Sequence, residues 1–239
     1  MAGVVSNSTL DRLGRALRDG TMTPEDWELL RDLRTQWEDV MQQLRQLLVL
    51  ELEGWAVEIS ARSKNAGTLR EKLQRLSGGL STVRDLVGCR VVVEGGRAEQ
   101  TKIVDHLVGV LEAWRPKVIS RIADPRAGYR AVHIEVRGDG VRVEIQVRTR
   151  AQHEWAEAME RFGDIAGRDI RYVDDASFTH RPPEIAQLLR ECAGALAHWS
   201  EVLDTWESVD SPTTGELRER VVAAQQDFIS RKAELDASL

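Results

Sequence analysis

The sequence predicts an α+β fold in which a mixed β-sheet is flanked by helices from both ends of the chain. Residues 141–148 alternate apolar and polar side chains without a miss, which is typical of a half-buried strand. Residues 132–136 alternate in the same way, and Gly138-Asp139 between the two runs suits a hairpin turn. Long stretches near both termini repeat apolar residues at three- and four-residue steps, the period of amphipathic helices.

These patterns divide the chain into three predicted regions: an N-terminal helical region (1–55), a mixed-sheet core (56–175) and C-terminal helices (176–239). The C-terminal helices are expected to pack on the core or on a partner. Charged residues make up 30% of the chain and hydrophobic residues 42%, which is typical of a folded globular protein.

In the N-terminal region, a short helix is predicted at about 9–18. A second helix should begin at Thr23-Pro24, where a capping hydroxyl precedes a proline and acids occupy the first turn. The helical spacing runs on to about Ile59, with Gly54 as the weak point, so the segment forms one long helix or two.

The rest of the chain alternates between strands and helices. Strands are predicted at 89–94 and 117–122, besides the hairpin. Helices are predicted at 69–76, 98–113, 151–160, 184–206 and 214–237. Ser211-Pro212 marks a break between the last two helices.

Composition excludes several classes of protein. A net charge of −6 argues against a general nucleic-acid coat, although the 33 Lys and Arg residues leave room for a local basic patch. Cys89 and Cys192 are far apart and lack metal-ligand spacing, so both are expected to be buried thiols in a reducing compartment. We find no signal peptide and no apolar run of about 18 residues, and therefore expect a cytoplasmic protein without a membrane segment.

The hairpin carries the first candidate site. Its apolar faces match if His133 lies opposite Glu144, because a slip of one residue would set apolar against polar side chains. The polar face then presents Tyr129, His133, Glu144, Gln146 and Arg148. Such a set suits a phosphorylated ligand and its metal, and the alternative is an ordinary solvated sheet face.

A run of cations and hydroxyls is the second candidate. Its members are Arg62, Lys64, Thr68, Lys72 and Arg75. The last three are four and three residues apart, so they share one helix face. Grouped cations would offset the charge of a polyphosphate, whereas the plainer interpretation is a solvated face.

Asp85 precedes a tight Gly88 and a buried strand that carries Arg90. A carboxylate at the start of a strand could bind Mg²⁺, which takes one or two carboxylates together with phosphate oxygens. A helix cap, or an ion pair with Arg90, is an equal alternative from these residues alone.

In order and spacing these motifs resemble the synthetase domain of the RelA/SpoT alarmone synthetases. The most specific pair is Gly128-Tyr-Arg-x-x-His133 with Glu144-Ile-Gln-x-Arg-Thr149, and the resemblance covers about 56–175. It implies a nucleotidyltransferase-like mixed sheet. It also implies a Mg²⁺-dependent transfer of pyrophosphate from ATP to the 3′-hydroxyl of GDP or GTP.

The resemblance assigns roles residue by residue. Residues implied to bind ATP are Arg62, Lys64, Thr68, Lys72, Arg75 and Arg90. Of these, Arg62 and Arg90 would flank the adenine. The catalytic and metal-binding carboxylates are Asp85 and Glu144. Residues implied to bind the acceptor are Tyr129, His133, Gln146, Arg126, Arg148 and His153, with the tyrosine stacked on the base.

Two departures bear on these roles. Thr68 stands where the family usually has serine, which keeps the hydroxyl. Asp124-Pro125-Arg126 stands where Pro-Lys is usual, so Arg126 becomes the expected cation for the acceptor phosphates. With no hydrolase domain before the core and no regulatory region after it, we expect a small member that makes an alarmone without degrading one.

Two alternatives remain. A toxin-type member would pyrophosphorylate the 3′ end of tRNA or make adenosine alarmones, and would be neutralised by an antitoxin. An RNA acceptor would need a basic surface, for which the candidates are Lys117, Arg121, Arg126 and Arg130. A catalytically silent module is disfavoured because every acidic and basic site position is filled. The terminal helices are also expected to contact an antitoxin or a second copy of the chain.

Overall fold

The structure, a computed structural model, describes residues 5–63, 66–75, 78–83, 86–125, 127–138, 141–167, 181–209 and 215–239. Within these ranges the helices are α1 (Asn7–Asp19), α2 (Pro24–Glu51), α3 (Ala66–Arg75), α4 (Arg97–Val110), α5 (Arg150–Ala166), α6 (Pro183–Glu207) and α7 (Gly215–Ser238). The strands are β1 (Val57–Ser63), β2 (Val87–Val93), β3 (Lys117–Ser120), β4 (Val132–Gly138) and β5 (Val141–Thr149).

The predicted α+β class is confirmed: the five strands form one mixed sheet in the order β1-β2-β5-β4-β3. Strands β5 and β4 are neighbours, as the hairpin required. The apolar side chains of β5 all point to one face of the sheet, and that face is buried. All four apolar positions from Val141 to Val147 therefore lie in the core.

The predicted start of the second helix is confirmed, but its predicted end is wrong. Thr23 and Asp26 form the capping box that begins α2. The helix ends at Glu51, however, and Gly54 then takes a φ of +84°, a left-handed conformation that glycine adopts without strain. The residues that follow form β1, so the helical prediction up to Ile59 fails over its last turns.

The expected hairpin turn also needs correction. Gly138 is the last residue of β4 rather than a turn residue, and Asp139 lies outside the described residues. A Cβ at position 138 would lie only 2.4 Å from the indole of Trp114. The glycine is therefore explained by the close approach of that ring and not by a positive φ.

Two compact units divide the chain, and each has its own core. Described residues within 1–92, 103–119 and 133–147 form the first unit. Its core includes the apolar faces of the first two helices and of the strands, for example Leu30, Leu44, Val91 and Ile145.

The second unit comprises described residues within 93–102, 120–132 and 148–239. Its core is an aromatic and aliphatic cluster contributed by α5, α6 and α7. Phe228 of α7 meets Phe162 edge-on with ring centroids 6.1 Å apart, and its centroid lies 6.3 Å from that of Trp199. These ring contacts pack α6 and α7 against α5.

Both cysteines are buried, as predicted, Cys89 on β2 and Cys192 on α6. Burial raises the pKa of the Cys89 thiol to about 12 and that of Cys192 to about 11. Among the helices the structure describes, none is both long and apolar enough to span a lipid bilayer.

Candidate active site

A carboxylate held by two neighbouring side chains lies on the sheet of the first unit. Nδ1 of His133 on β4 is 2.8 Å from Oε1 of Glu144 on β5, and Nε2 of Gln146 donates to Oε2 at 2.9 Å. An ionised carboxylate only accepts hydrogen bonds, so with Glu144 ionised His133 would donate through Nδ1. The expected neighbourhood of His133 and Glu144 is thus confirmed.

This carboxylate is oriented but not sealed from solvent. The Glu144 side chain keeps 14% of its exposure and the His133 side chain 16%. Of these two hydrogen bonds, the one with His133 involves Oε1 and the one from Gln146 goes to Oε2. Glu144 therefore combines a fixed direction with access for a ligand.

Strand β2 runs beside Glu144. A Cβ at Gly88 would lie 3.1 Å from the backbone oxygen of Glu144, so glycine lets the two strands approach at this point. Arg90 follows two residues later on β2 and is half-buried. The close packing of β2 beside Glu144 therefore explains the glycine of the Gly88-x-Arg90 motif.

The predicted basic face exists on α3. Thr68, Lys72 and Arg75 lie on one side of this helix, while Leu69 and Leu73 bury its adjacent side. Arg75 is exposed, and its Nε donates to the backbone oxygen of Glu71 at 3.3 Å. This face therefore carries two cations and a hydroxyl.

Some predicted site residues lie outside what the structure describes. Lys64, Asp85 and Arg126 fall in the gaps between the described ranges. Arg62 lies on β1, and its side chain is not among those described. Their roles stay predictions from the resemblance.

In the second unit, Tyr129 and Arg148 form a pair. The guanidinium carbon of Arg148 lies 5.0 Å from the centroid of the Tyr129 ring, and Nη2 donates to the tyrosine hydroxyl at 3.0 Å. Arg148 is buried, and the Tyr129 ring also packs against the aromatic core of this unit. A cation over the ring and a bond to its hydroxyl together fix the ring's orientation.

Sequence reasoning missed how the loop before Tyr129 is held. Gly128 has a φ of +84°, and a Cβ there would lie 2.8 Å from the Trp155 ring and 3.0 Å from Cβ of Ser200. Arg130 is buried and donates through Nη1 to the backbone oxygen of Ser200 at 3.0 Å. The residues on both sides of Tyr129 are thus structural anchors.

This anchoring corrects one expectation about RNA. Arg130 was a candidate for a basic surface, but it is buried and paired with Asp204, whose Oδ1 lies 3.2 Å from its Nε. Lys117 is exposed on β3, and Arg121 is half-buried with Asp124 3.6 Å away. His153 lies on α5, with its Nε2 3.5 Å from Glu157.

Comparison with known proteins identifies the segment that holds these motifs. Residues 61–162 match the family described as "Region found in RelA / SpoT proteins". This segment of the chain belongs to the RelA/SpoT family. The matched segment contains the α3 face, the Glu144 carboxylate and the Tyr129–Arg148 pair, and it ends within α5.

Among curated relatives of this chain are "Uncharacterized protein Rv1366" of Mycobacterium tuberculosis and "Uncharacterized protein Mb1401" of Mycobacterium bovis. Each is 33% identical over 185 residues, which is 76% of this chain and 65% of the relative. The chain thus spans about two thirds of the length of the curated relatives it matches.

Two solved structures resemble this chain. The Bacillus subtilis small alarmone synthetase 1 bound to its product pppGpp has a TM-score of 0.50 at 21% identity, covering 77% of this chain and 97% of that one. A GTP pyrophosphokinase family protein from Streptococcus pneumoniae has a TM-score of 0.49 at 20% identity, covering 84% and 98%. The likeness to the first of these concerns the α+β fold.

Of the two carboxylates that the resemblance assigns to Mg²⁺, the structure describes Glu144. Within the described residues no three His, Cys, Asp or Glu side chains converge on one point. Mg²⁺ does not need such a cage, because it binds through one or two carboxylates plus substrate phosphates and water. Glu144 is oriented by His133 and Gln146, and Asp85, the second carboxylate that the resemblance assigns, lies outside the described residues.

Proposed function

We propose that the protein is a pyrophosphotransferase that moves pyrophosphate from ATP to the 3′-hydroxyl of GDP or GTP. The observation that carries the proposal is the Glu144 carboxylate, oriented by His133 and Gln146 within the family-matched segment. A carboxylate fixed in this way is suited to accept a proton from an attacking hydroxyl.

In the proposed reaction the acceptor's 3′-oxygen forms a bond to the β-phosphorus of ATP. The bond between that phosphorus and the oxygen bridging to the α-phosphate breaks, and AMP leaves. Glu144 takes the proton from the attacking hydroxyl, and His133 holds the carboxylate in place. Mg²⁺ bound by Glu144 and Asp85 would neutralise charge on the transferring group.

The α3 face is proposed to bind the donor's phosphates. We expect Lys72→Ala and Arg75→Ala each to weaken binding of a non-hydrolysable ATP analogue by about tenfold, since each loses a charge-assisted contact. Isothermal titration measures this directly. Arg70→Ala is the matched control, because it removes the same charge from the opposite side of α3, where Arg70 Nε donates to the backbone oxygen of Arg18.

Unchanged affinity for the ATP analogue in both Lys72→Ala and Arg75→Ala would show that the α3 face is an ordinary solvated surface. Equal losses in all three variants would show an effect of net charge rather than of a phosphate site.

The acceptor is the finer part of the proposal. A guanine nucleotide is favoured over tRNA because the net charge is −6 and Arg130, a candidate for an RNA surface, is buried. Tyr129 would stack on the acceptor base, and stacking tolerates different bases. An antitoxin partner would accompany the tRNA or adenine-nucleotide alternative.

An acceptor panel tests this choice. The protein is incubated with radiolabelled ATP and, in parallel, GDP, GTP, excess ATP alone or bulk tRNA. We expect label to move to GDP or GTP. Label on tRNA or on adenine nucleotides, with GDP and GTP ignored, would replace the alarmone function by the toxin-type one. Label on no acceptor would overturn the proposed activity.

A further inference from the structure

Three polar side chains form a stripe on α6, beyond the end of the family-matched segment. Ser200, Asp204 and Glu207 are four and three residues apart and so lie on one helix face. Ser200 and Glu207 are buried, and other residues of α6 belong to the second unit's core. Buried polar groups at this spacing require partners, and each of the three has them.

The first half of the stripe holds the loop of Tyr129. The Ser200 hydroxyl donates to the backbone oxygen of Gly128 at 2.6 Å. The Arg130 guanidinium bonds to the hydroxyl and the backbone oxygen of Ser200 and pairs with Asp204. The residues before and after Tyr129 are therefore both tied to α6.

The second half holds the segment that follows Arg148. The Glu207 carboxylate is fully buried, and it accepts hydrogen bonds from the Thr149 hydroxyl and from Nε2 of Gln152, the latter at 2.8 Å. Thr149 and Gln152 form the capping box that begins α5. Glu207 thereby fixes the junction between β5 and α5, directly after Arg148.

A cation from a third segment completes the network. Nε of Arg97 at the start of α4 lies 3.5 Å from Oε2 of Glu207, and its Nη2 pairs with Asp204. A buried carboxylate is tolerated only when it is paired and hydrogen-bonded, and Glu207 meets both conditions.

We propose that this α6 stripe is a positioning element for acceptor binding: it sets where Tyr129 and Arg148 lie with respect to each other. The inference rests on the proposed function, because it assigns the Tyr129–Arg148 pair to the acceptor. A hydrogen bond and a ring contact join Tyr129 and Arg148, and a shift in either backbone segment would disrupt both of these contacts. The stripe restrains both segments through a single rigid helix.

Steady-state kinetics on the full chain test the proposal. We expect Ser200→Ala and Glu207→Ala each to raise the acceptor KM about tenfold, because small displacements of binding groups are costly, while the ATP KM stays within about twofold. Glu207→Gln keeps the shape and an accepting oxygen for Thr149, and should restore part of the loss. Glu201→Gln, exposed on the same helix, is the control that should match wild type.

Hydrogen–deuterium exchange supplies a readout independent of turnover. We expect faster exchange in peptides covering 127–132 and 148–153 in Ser200→Ala, a substitution mild enough to preserve the fold. If the enzyme is active, either of two results in Ser200→Ala and Glu207→Ala would overturn the positioning role. One is an unchanged acceptor KM, and the other is an equal change in the KM of ATP and in that of the acceptor. A wild-type protein inactive on every acceptor would overturn the proposed function itself, which separates the two failures.

Discussion

Glu144→Gln is expected to lower kcat by about 10²–10⁴-fold while leaving the fold intact. The amide keeps the shape of the carboxylate and an oxygen that can accept from His133, but it cannot take up the proton of an attacking hydroxyl. It also offers a weaker ligand to Mg²⁺. Turnover under saturating ATP and acceptor measures the effect, with a thermal melt to check the fold.

Glu53→Gln provides the matched control, since it makes the same exchange at an exposed position of the first unit. It should retain wild-type turnover. A folded Glu144→Gln variant with more than about a tenth of wild-type kcat would exclude Glu144 as the proton acceptor.

Tyr129→Ala is expected to reduce acceptor use, measured as kcat/KM, by about ten- to a hundredfold, because stacking of a base on an aromatic ring is worth about 1–3 kcal/mol. Some loss of melting temperature should accompany it, since the ring packs on the core of the second unit. Tyr129→Phe keeps the ring beneath Arg148 and loses only the hydrogen bond to the hydroxyl. This variant should therefore retain much of the activity.

Kinetics and melting curves of the two variants separate binding from packing. A stacking role predicts a raised acceptor KM in the Ala variant and an unchanged ATP KM. A large fall in melting temperature with a wild-type acceptor KM in the surviving enzyme would instead make Tyr129 a packing residue.

The hairpin shows what the sequence could predict. Eight residues of strict alternation determine which side chains of β5 face the core, and matching apolar faces then place His133 beside Glu144. Helical spacing likewise located α3 and its basic face. These features depend on contacts between residues close in sequence, so local patterns carry them.

The missed strand shows one limit of this reasoning. In the order of the sheet, β1 is an edge strand, and its apolar positions from Val57 to Ala61 are only half-buried. It follows α2 after five residues. Its short alternation of apolar and polar residues is therefore easily read as a continuation of the helical spacing. Gly54 itself, which takes a positive φ between the two elements, is the weak sequence signal that the helix ends before it.

The α6 stripe shows the other limit. Thr149 and Glu207 are 58 residues apart, and nothing local in the sequence indicates that they meet. A clue was nevertheless present, since polar residues four and three apart interrupt the apolar face that holds Trp199 and Leu203. Such interruptions in a buried helix face indicate polar partners from elsewhere in the chain.

The most direct test of the account is the identity of the nucleotides formed from ATP and GDP or GTP. Pyrophosphate transfer predicts equal amounts of AMP and of an acceptor carrying two additional phosphates, with neither product formed by Glu144→Gln above about a tenth of the wild-type amount. Mass spectrometry of the quenched reaction counts both. ADP together with an acceptor carrying one added phosphate would contradict the central claim, as would AMP formed without any modified acceptor.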